Sequence, residues 1–366
     1  RVLLSQDLAV RKKALEVTQL FISSRNVEAV VKLLKKELQK TAQLNQDLAE
    51  EYRQILINAI HQLAVQFHEV AANVIDLLLE LMGELNTNAA YEVIIFVKEV
   101  VEKFPDLRAL IVSRLIHLLL HVKLGKVLRG SLWIIGEYLE EEKLVQEAWK
   151  HIRGSIGEVP IVSSEKRKRQ GGSEEDSVDN KESGSKTSKK PLINPDGTYA
   201  TENALTTDSN STSDDQVPPL RRLILQGDFY LGAVLASTLV KLVLRLQRLK
   251  TSAKILNALK AEALLIMVSI LRVGDSSFVE KKIDEDSSDR IFLAISYLTD
   301  EKDAKLIEKS FLDDTKDAYR VQIQAEESKR VELEAEKFQK SASQIDDLID
   351  FEQFTNESSQ KANEDD

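Results

Sequence analysis

The feature that most limits what this chain can fold into is a recurrence of paired amphipathic helices. In residues 47–67, Leu48, Tyr52, Ile55, Leu56, Ala59, Ile60, Leu63 and Phe67 fall at steps of three and four, the spacing that gathers side chains on one helix face. Two shorter helices are expected before it, presenting Leu8, Leu15, Leu20 and Ile22, then Val27, Val30, Val31, Leu34 and Leu38. Between them the polar cluster Ser23-Ser24-Arg25-Asn26 suits the cap of the second helix. Residues 70–85 supply a partner helix, and further pairs are expected at 89–104 with 106–122 and at 126–139 with 143–156. Pro105, followed by Asp106 as the expected N-cap, marks one junction. The pairs start near residues 7, 47, 88 and 125, a period of about 40 residues. One pair is too small to bury its own apolar face, so stacking of neighbours has to supply the core.

That period lies in the range of HEAT and armadillo repeats, and stretches such as Val93–Val101 are apolar over more than half their circumference, as inner helices of a stack should be. The fold class that follows is all-α: a right-handed α-solenoid of HEAT/armadillo-like helix pairs, interrupted by a disordered linker. Composition agrees, since 43% hydrophobic residues suffice for a large core while 6 Pro and 13 Gly leave little for turn-rich β architecture. With no cysteine, disulfides and Cys-based zinc sites are excluded. The net charge of −10 is concentrated at the end of the chain, where residues 341–366 hold eight acidic residues against Lys361 alone. A near-neutral body gives nucleic acid no basic face to bind. The longest uncharged apolar run, Phe229–Val240, is bounded by Asp228 and Lys241 and falls short of the roughly 18–20 residues of a spanning helix. A start at Arg1 without an initiator Met reads as a piece of a longer protein.

Residues 1–162 are therefore expected to form the solenoid, and 163–219, rich in Ser, Thr, Asp, Glu, Lys and Gly, a mostly disordered linker. The basic run Lys166–Arg169 falls in that linker beside Glu165, Glu174, Glu175 and Asp176, and reads as part of a mixed-charge solvated stretch. An island at 191–205 contains the turn signal Pro195-Asp196-Gly197, with Tyr199 expected to dock on the solenoid. Helices resume over 220–315, beginning with Gly227-Asp228 and the stripe Leu231, Val234, Leu235, Leu239, Leu242 and Leu246. Residues 316–340 read as a charged helix or stalk, and 341–366 as an acidic flexible tail. Within that tail Leu348, Ile349, Phe351 and Glu352 fit the pattern of clathrin-box peptides, against the plainer reading of a local apolar anchor.

The most distinctive helix is Leu128–Leu139, with one of two Trp residues and two glycines. Gly inside a helix costs roughly 1 kcal/mol relative to Ala, so Gly130 and Gly136 are expected where neighbouring helices pass close. Together with Trp133 and Tyr138 they form the expected packing centre, holding the end of the first stack as core rather than as a site. His117 and His121 stand one turn apart, a metal-ligand spacing, but without an obvious third ligand, and His61 and His68 are spaced still less favourably. There is no nucleophile elbow, P-loop or dinucleotide fingerprint. No catalytic, cofactor or metal residue is expected.

The helix Trp133-Ile134-Ile135-Gly136-Glu137-Tyr138 resembles the corresponding helix of the large adaptin and coatomer chains. Ser23–Glu28, Lys35–Glu37, Tyr52–Gln54, Ala71–Ile75, Arg129–Trp133, Gly157–Val162, Gly197–Thr201 and Gly227–Phe229 are similar in order to the coatomer subunit beta family. The resemblance implies a middle-to-C-terminal part of a trunk, with the N-terminal trunk and an appendage domain lying outside it. It further implies a non-enzymatic subunit of the heptameric coat of Golgi-derived vesicles, pairing with the delta and gamma subunits. Recruitment is by an Arf-family GTPase, whose contact belongs largely to the N-terminal trunk. Membrane association is then peripheral and indirect, on the cytoplasmic side of the Golgi. Other readings of the same helical repeats are a nuclear transport receptor, a clathrin-adaptor beta chain and a phosphatase scaffold.

Overall fold

The computed structural model describes residues 7–41, 46–82, 87–170, 217–300 and 303–345, and among them every long regular element is a helix. The first eight are α1 (Leu8–Leu20), α2 (Val27–Lys40), α3 (Gln46–Gln66), α4 (His68–Leu81), α5 (Thr87–Lys103), α6 (Arg108–Leu118), α7 (Gly125–Tyr138) and α8 (Glu142–Ile156). They are followed by α9 (Ile161–Gln170), α10 (Pro219–Leu225), α11 (Phe229–Arg248), α12 (Ala253–Gly274), α13 (Glu285–Thr299), α14 (Ala304–Lys309) and α15 (Thr315–Ile345). Two compact units result, Arg1–Leu312 and Asp313–Asp366.

The first unit is an α-solenoid of two helix layers. Helices α1, α3, α5, α7, α11 and α13 neighbour one another in that order, while α2, α4, α6, α8 and α10 follow in the second layer. The layers seal because inner helices are apolar on several sides: Leu56 and Ile60 of α3, Val93 and Val97 of α5, and Leu128 and Leu132 of α7 are all but fully buried. Burying such a side chain is worth about 1.5–3 kcal/mol, which no single pair could collect alone. Chain breakers sit at the junctions. Pro105 opens a short 3-10 turn, Pro105–Leu107, and Pro219 occupies the first turn of α10, where its missing N–H costs nothing. Gly157 ends α8 with a φ of 74°, a conformation that favours glycine.

Local details depart from the sequence expectations. Asn26 takes the N-cap position of α2 but its side chain makes no cap bond there; it accepts from Ser23 N–H at 2.8 Å and donates to the Phe21 carbonyl at 3.0 Å, bracing the preceding turn. Asp106 lies within the 3-10 turn, and Leu107 takes the cap position of α6. The linker boundary at 163 is also corrected, because Ile161–Gln170 form α9, placing Lys166–Arg169 in a helix. Its cations have partners: Arg167 pairs with Glu158, and Arg169 lies 4.3 Å above the Phe278 ring. Glu165 accepts from the buried Arg221 of α10 at 2.8 Å. Tyr199 and the remainder of the linker island lie outside the described residues, as do Leu348, Ile349 and Phe351.

The larger difference concerns where the first stack ends. α7 is followed in its layer not by an end cap but by α11, from beyond the linker. α11 is long and apolar enough by composition to cross a membrane, yet most of it is buried inside the stack. Arg221 donates to the Glu158 carbonyl at 2.8 Å, Ser269 Oγ accepts from the Ile161 N–H at 2.7 Å, and Trp149 Nε1 donates to Glu262 at 2.8 Å. The helices on both sides of residues 171–216 thus share one core. The second unit contributes α15, described by itself as a polar helix with Val321, Val331 and Leu333 exposed and local pairs such as Arg320–Asp317 and Gln322–Glu326. Such pairs support a helix that lacks an apolar stripe.

If the shared core holds the halves together, a chain cut at a protease site engineered between Gln170 and Val217 will elute as a single species. Size-exclusion chromatography under native conditions checks this, and separation into two peaks would show that the peptide connection is what joins them.

Candidate functional site: a cationic aromatic groove beside α7

The four residues expected as a packing centre divide between two faces of α7. Gly130 faces α5: a Cβ there would stand 2.6 Å from Ile94 Cγ1, so only glycine allows this approach. Gly136 faces α11, where a Cβ would meet the Thr238 Cα at 3.6 Å. Tyr138 is buried, donates from its hydroxyl to Glu102 Oε2 at 2.7 Å, and meets Trp133 edge-on with ring centroids 6.1 Å apart. Trp133 itself is only half-buried. Instead of closing the core, its ring forms part of an open wall.

Between α7 and α11 lies a buried polar joint. The Glu137 carboxylate and the Lys241 ammonium form an ion pair almost entirely out of water. Burial dominates over the attraction of Glu137 and holds Lys241 below the ordinary lysine range. One turn along α11, Arg245 donates to the carbonyls of Gly136 at 3.1 Å, Glu137 at 2.5 Å and Leu139 at 2.6 Å. These carbonyls end α7 without intrahelical partners, and the guanidinium fork satisfies several at once. The Thr238 hydroxyl donates to the Leu132 carbonyl at 3.1 Å. At the other end, Asp228 caps α11 by accepting from the Leu231 N–H at 3.1 Å and also pairs with Arg129 of α7 at 3.1 Å.

This joint fixes the walls of a groove. A cleft of about 460 Å³ opens between Tyr91, Ile95 and Lys98 of α5, Lys126, Arg129 and Trp133 of α7, and Tyr230 and Val234 of α11. A smaller one of about 170 Å³ shares Trp133, Tyr230 and Val234 and extends to Ser237, Lys241 and Arg290. Cations and rings are paired along it: Lys98 stands 4.1 Å from the Trp133 centroid, Lys126 5.5 Å from Tyr91, and Arg129 5.3 Å from Tyr230. Contacts of this kind are worth about 0.5–1 kcal/mol each at exposed sites. Neither cleft has a carboxylate or histidine in its lining, so the groove presents hydrogen-bond donors and apolar surface.

The histidines lie elsewhere. His117 rests edge-on against His151 with centroids 5.1 Å apart and stands 3.7 Å from Glu147, while His121 is exposed in the turn after α6. His61 hydrogen-bonds Glu99 at 2.8 Å, and His68 packs edge-on against Phe104. Among the described residues no three His, Asp or Glu side chains come together as metal ligands. The groove and the joint were missed in the sequence reading. A signal for the joint existed in Lys241 and Arg245, two cations one turn apart in an otherwise apolar helix, which called for partners inside the fold.

Two stability predictions follow from this geometry. Glu137→Ala leaves Lys241 buried without its carboxylate and should cost about 3–5 kcal/mol, whereas Glu137→Met with Lys241→Met should leave stability near that of the parent; urea denaturation of the three chains measures both. Gly130→Val should destabilise by about 1–3 kcal/mol through overpacking on α5, and adding Ile94→Ala should recover part of that loss in the same assay.

Comparison with known proteins agrees with the solenoid. Residues 1–216 match the family model described as adaptin N terminal region. The chain is 48% identical to coatomer subunit beta of Saccharomyces cerevisiae over 97% of its length, covering 38% of that protein. It is 40% identical to coatomer subunit beta of Schizosaccharomyces pombe over 96% of its length and 38% of the relative, and 39% identical to that of Rattus norvegicus over 82% and 31%. The chain therefore spans well under half the length of these relatives. No solved structure matches. With more than half of its residues matched, and its helices stacked as the resemblance in α7 implied, the chain belongs to the adaptin N-terminal family, in the company of coatomer beta subunits.

Proposed function

We propose that this chain is a non-enzymatic scaffold segment of a vesicle coat, the trunk portion of a coatomer beta subunit. The observation that carries the reading is the similarity to coatomer subunit beta, which runs through 97% of the chain and so spans both sides of residues 171–216. The architecture is consistent with it. A two-layer solenoid exposes long helix surfaces for protein partners, and the groove offers binding groups without an acid–base pair. In this reading the stack joins the delta and gamma subunits within the heptameric coat, on the cytoplasmic side of Golgi membranes. It serves retrograde Golgi-to-ER and intra-Golgi transport. Membrane attachment is peripheral, through the assembled complex and an Arf-family GTPase in its GTP form.

The full chain, tagged and incubated with cytosol, is expected to recover the delta and gamma coat subunits, identified by mass spectrometry. Recovery of nuclear cargo released by Ran-GTP, without coat subunits, would overturn the reading in favour of a transport receptor.

A further inference from the structure

We propose that the groove between α5, α7 and α11 is a docking site for an acidic peptide segment of another protein, one that carries bulky apolar side chains among its carboxylates. The inference stands on the groove alone and does not depend on the coat reading. Charge complementarity is the first argument. In a chain of net charge −10, neither cleft has a carboxylate in its lining; Lys241 is neutralised by Glu137 in the buried joint, and Lys98, Lys126, Arg129 and Arg290 line the groove toward solvent.

Exposed apolar surface is the second. Aromatic residues make up 5% of the chain, yet Tyr91 and Tyr230 are 42% and 51% exposed on facing walls, with Ile95 37% exposed beside them. Tyrosine and tryptophan offer large contact area at a small cost in side-chain entropy. Their partners are cations already positioned over the rings, so an arriving carboxylate meets a donor whose place is fixed.

Shape then selects the class of ligand. The cleft is concave and runs across three helices, which suits an extended peptide that turns apolar side chains inward and carboxylates toward the rim. Arg129 and Arg290 hold Asp228 and Asp286 respectively, so substitutions at Lys98 and Lys126 probe recognition while leaving those ion pairs intact.

The test uses the full chain and a fluorescein-labelled synthetic peptide of repeating Asp-Leu-Asp-Phe, followed by fluorescence anisotropy. The acidic peptide should bind at least tenfold more tightly than its Asn-for-Asp counterpart. Lys98→Glu with Lys126→Glu should weaken it at least tenfold, whereas Lys254→Glu, on the exposed surface of α12, should not. An unchanged thermal midpoint shows that the double variant is folded. A second readout needs no variant: Trp149 is 2% exposed, so acrylamide quenching reports Trp133, and saturating peptide should protect it. Absence of binding, equal affinity for the neutral peptide, or full affinity in the double variant would overturn the proposal. So would binding to phosphatidylserine vesicles but not to peptide, lost in the same variant, which would assign the cations to a membrane.

Discussion

The approach of α7 to α11 is the contact on which the rest of the stack depends. Arg245 satisfies the carbonyls that end α7, Glu137 neutralises Lys241 in the same buried layer, and the Thr238 hydroxyl of α11 donates to the Leu132 carbonyl of α7. Each element would be costly alone, since an unpaired buried charge or an open helix end loses its solvation without return. Combined, they make a joint with one workable register. The aliphatic residues around it supply most of the stabilisation and little of the specificity, because leucine packs on leucine in many registers.

The same joint determines what surface the molecule presents. With α11 set against α7, Tyr230 comes to stand opposite Trp133, and Arg129 is shared between the cap of α11 and the rim of the groove. Gly130 brings α5 close enough for Lys98 to rest on the Trp133 ring. A surface feature assembled from three helices, one of them from beyond a long insertion, is thus a by-product of core packing. Residues that each read as core or as solvated surface in the sequence are in this way gathered into a chemically distinct site.

Much of the fold was legible because a period of three and four along the chain and a period of about 40 between pairs are both local signals. α3, α5 and α7 announce themselves in Leu56, Val93 and Leu132. What stayed hidden was lateral. Nothing in the sequence near Glu137 points to Lys241, and Trp133 reads as core until the neighbour that leaves it half-covered is known. The misplaced linker boundary has a related cause. Lys166–Arg169 are exposed, as composition suggests, yet they lie on a helix whose cations Arg167 and Arg169 find Glu158 and the Phe278 ring beside them. Charge content marks a disordered segment only when the charges find no structure to rest on.

The order of helices in the first layer also bears on how the chain reaches its structure. Most contacts in a solenoid join neighbours in sequence and form quickly, but Glu137 and Lys241 are 104 residues apart. Folding rates fall as contacts become less local, so α1 to α8 can stack as soon as they exist, while α7 waits with a charged, uncovered face and α9 waits for α12. During synthesis that face stays open until α11 has emerged. Closing the contacts between the helices on either side of residues 171–216, which include α7 with α11, α8 with α10 and α9 with α12, completes the stack, and until then the unfinished chain leaves apolar surface open to aggregation or to chaperones.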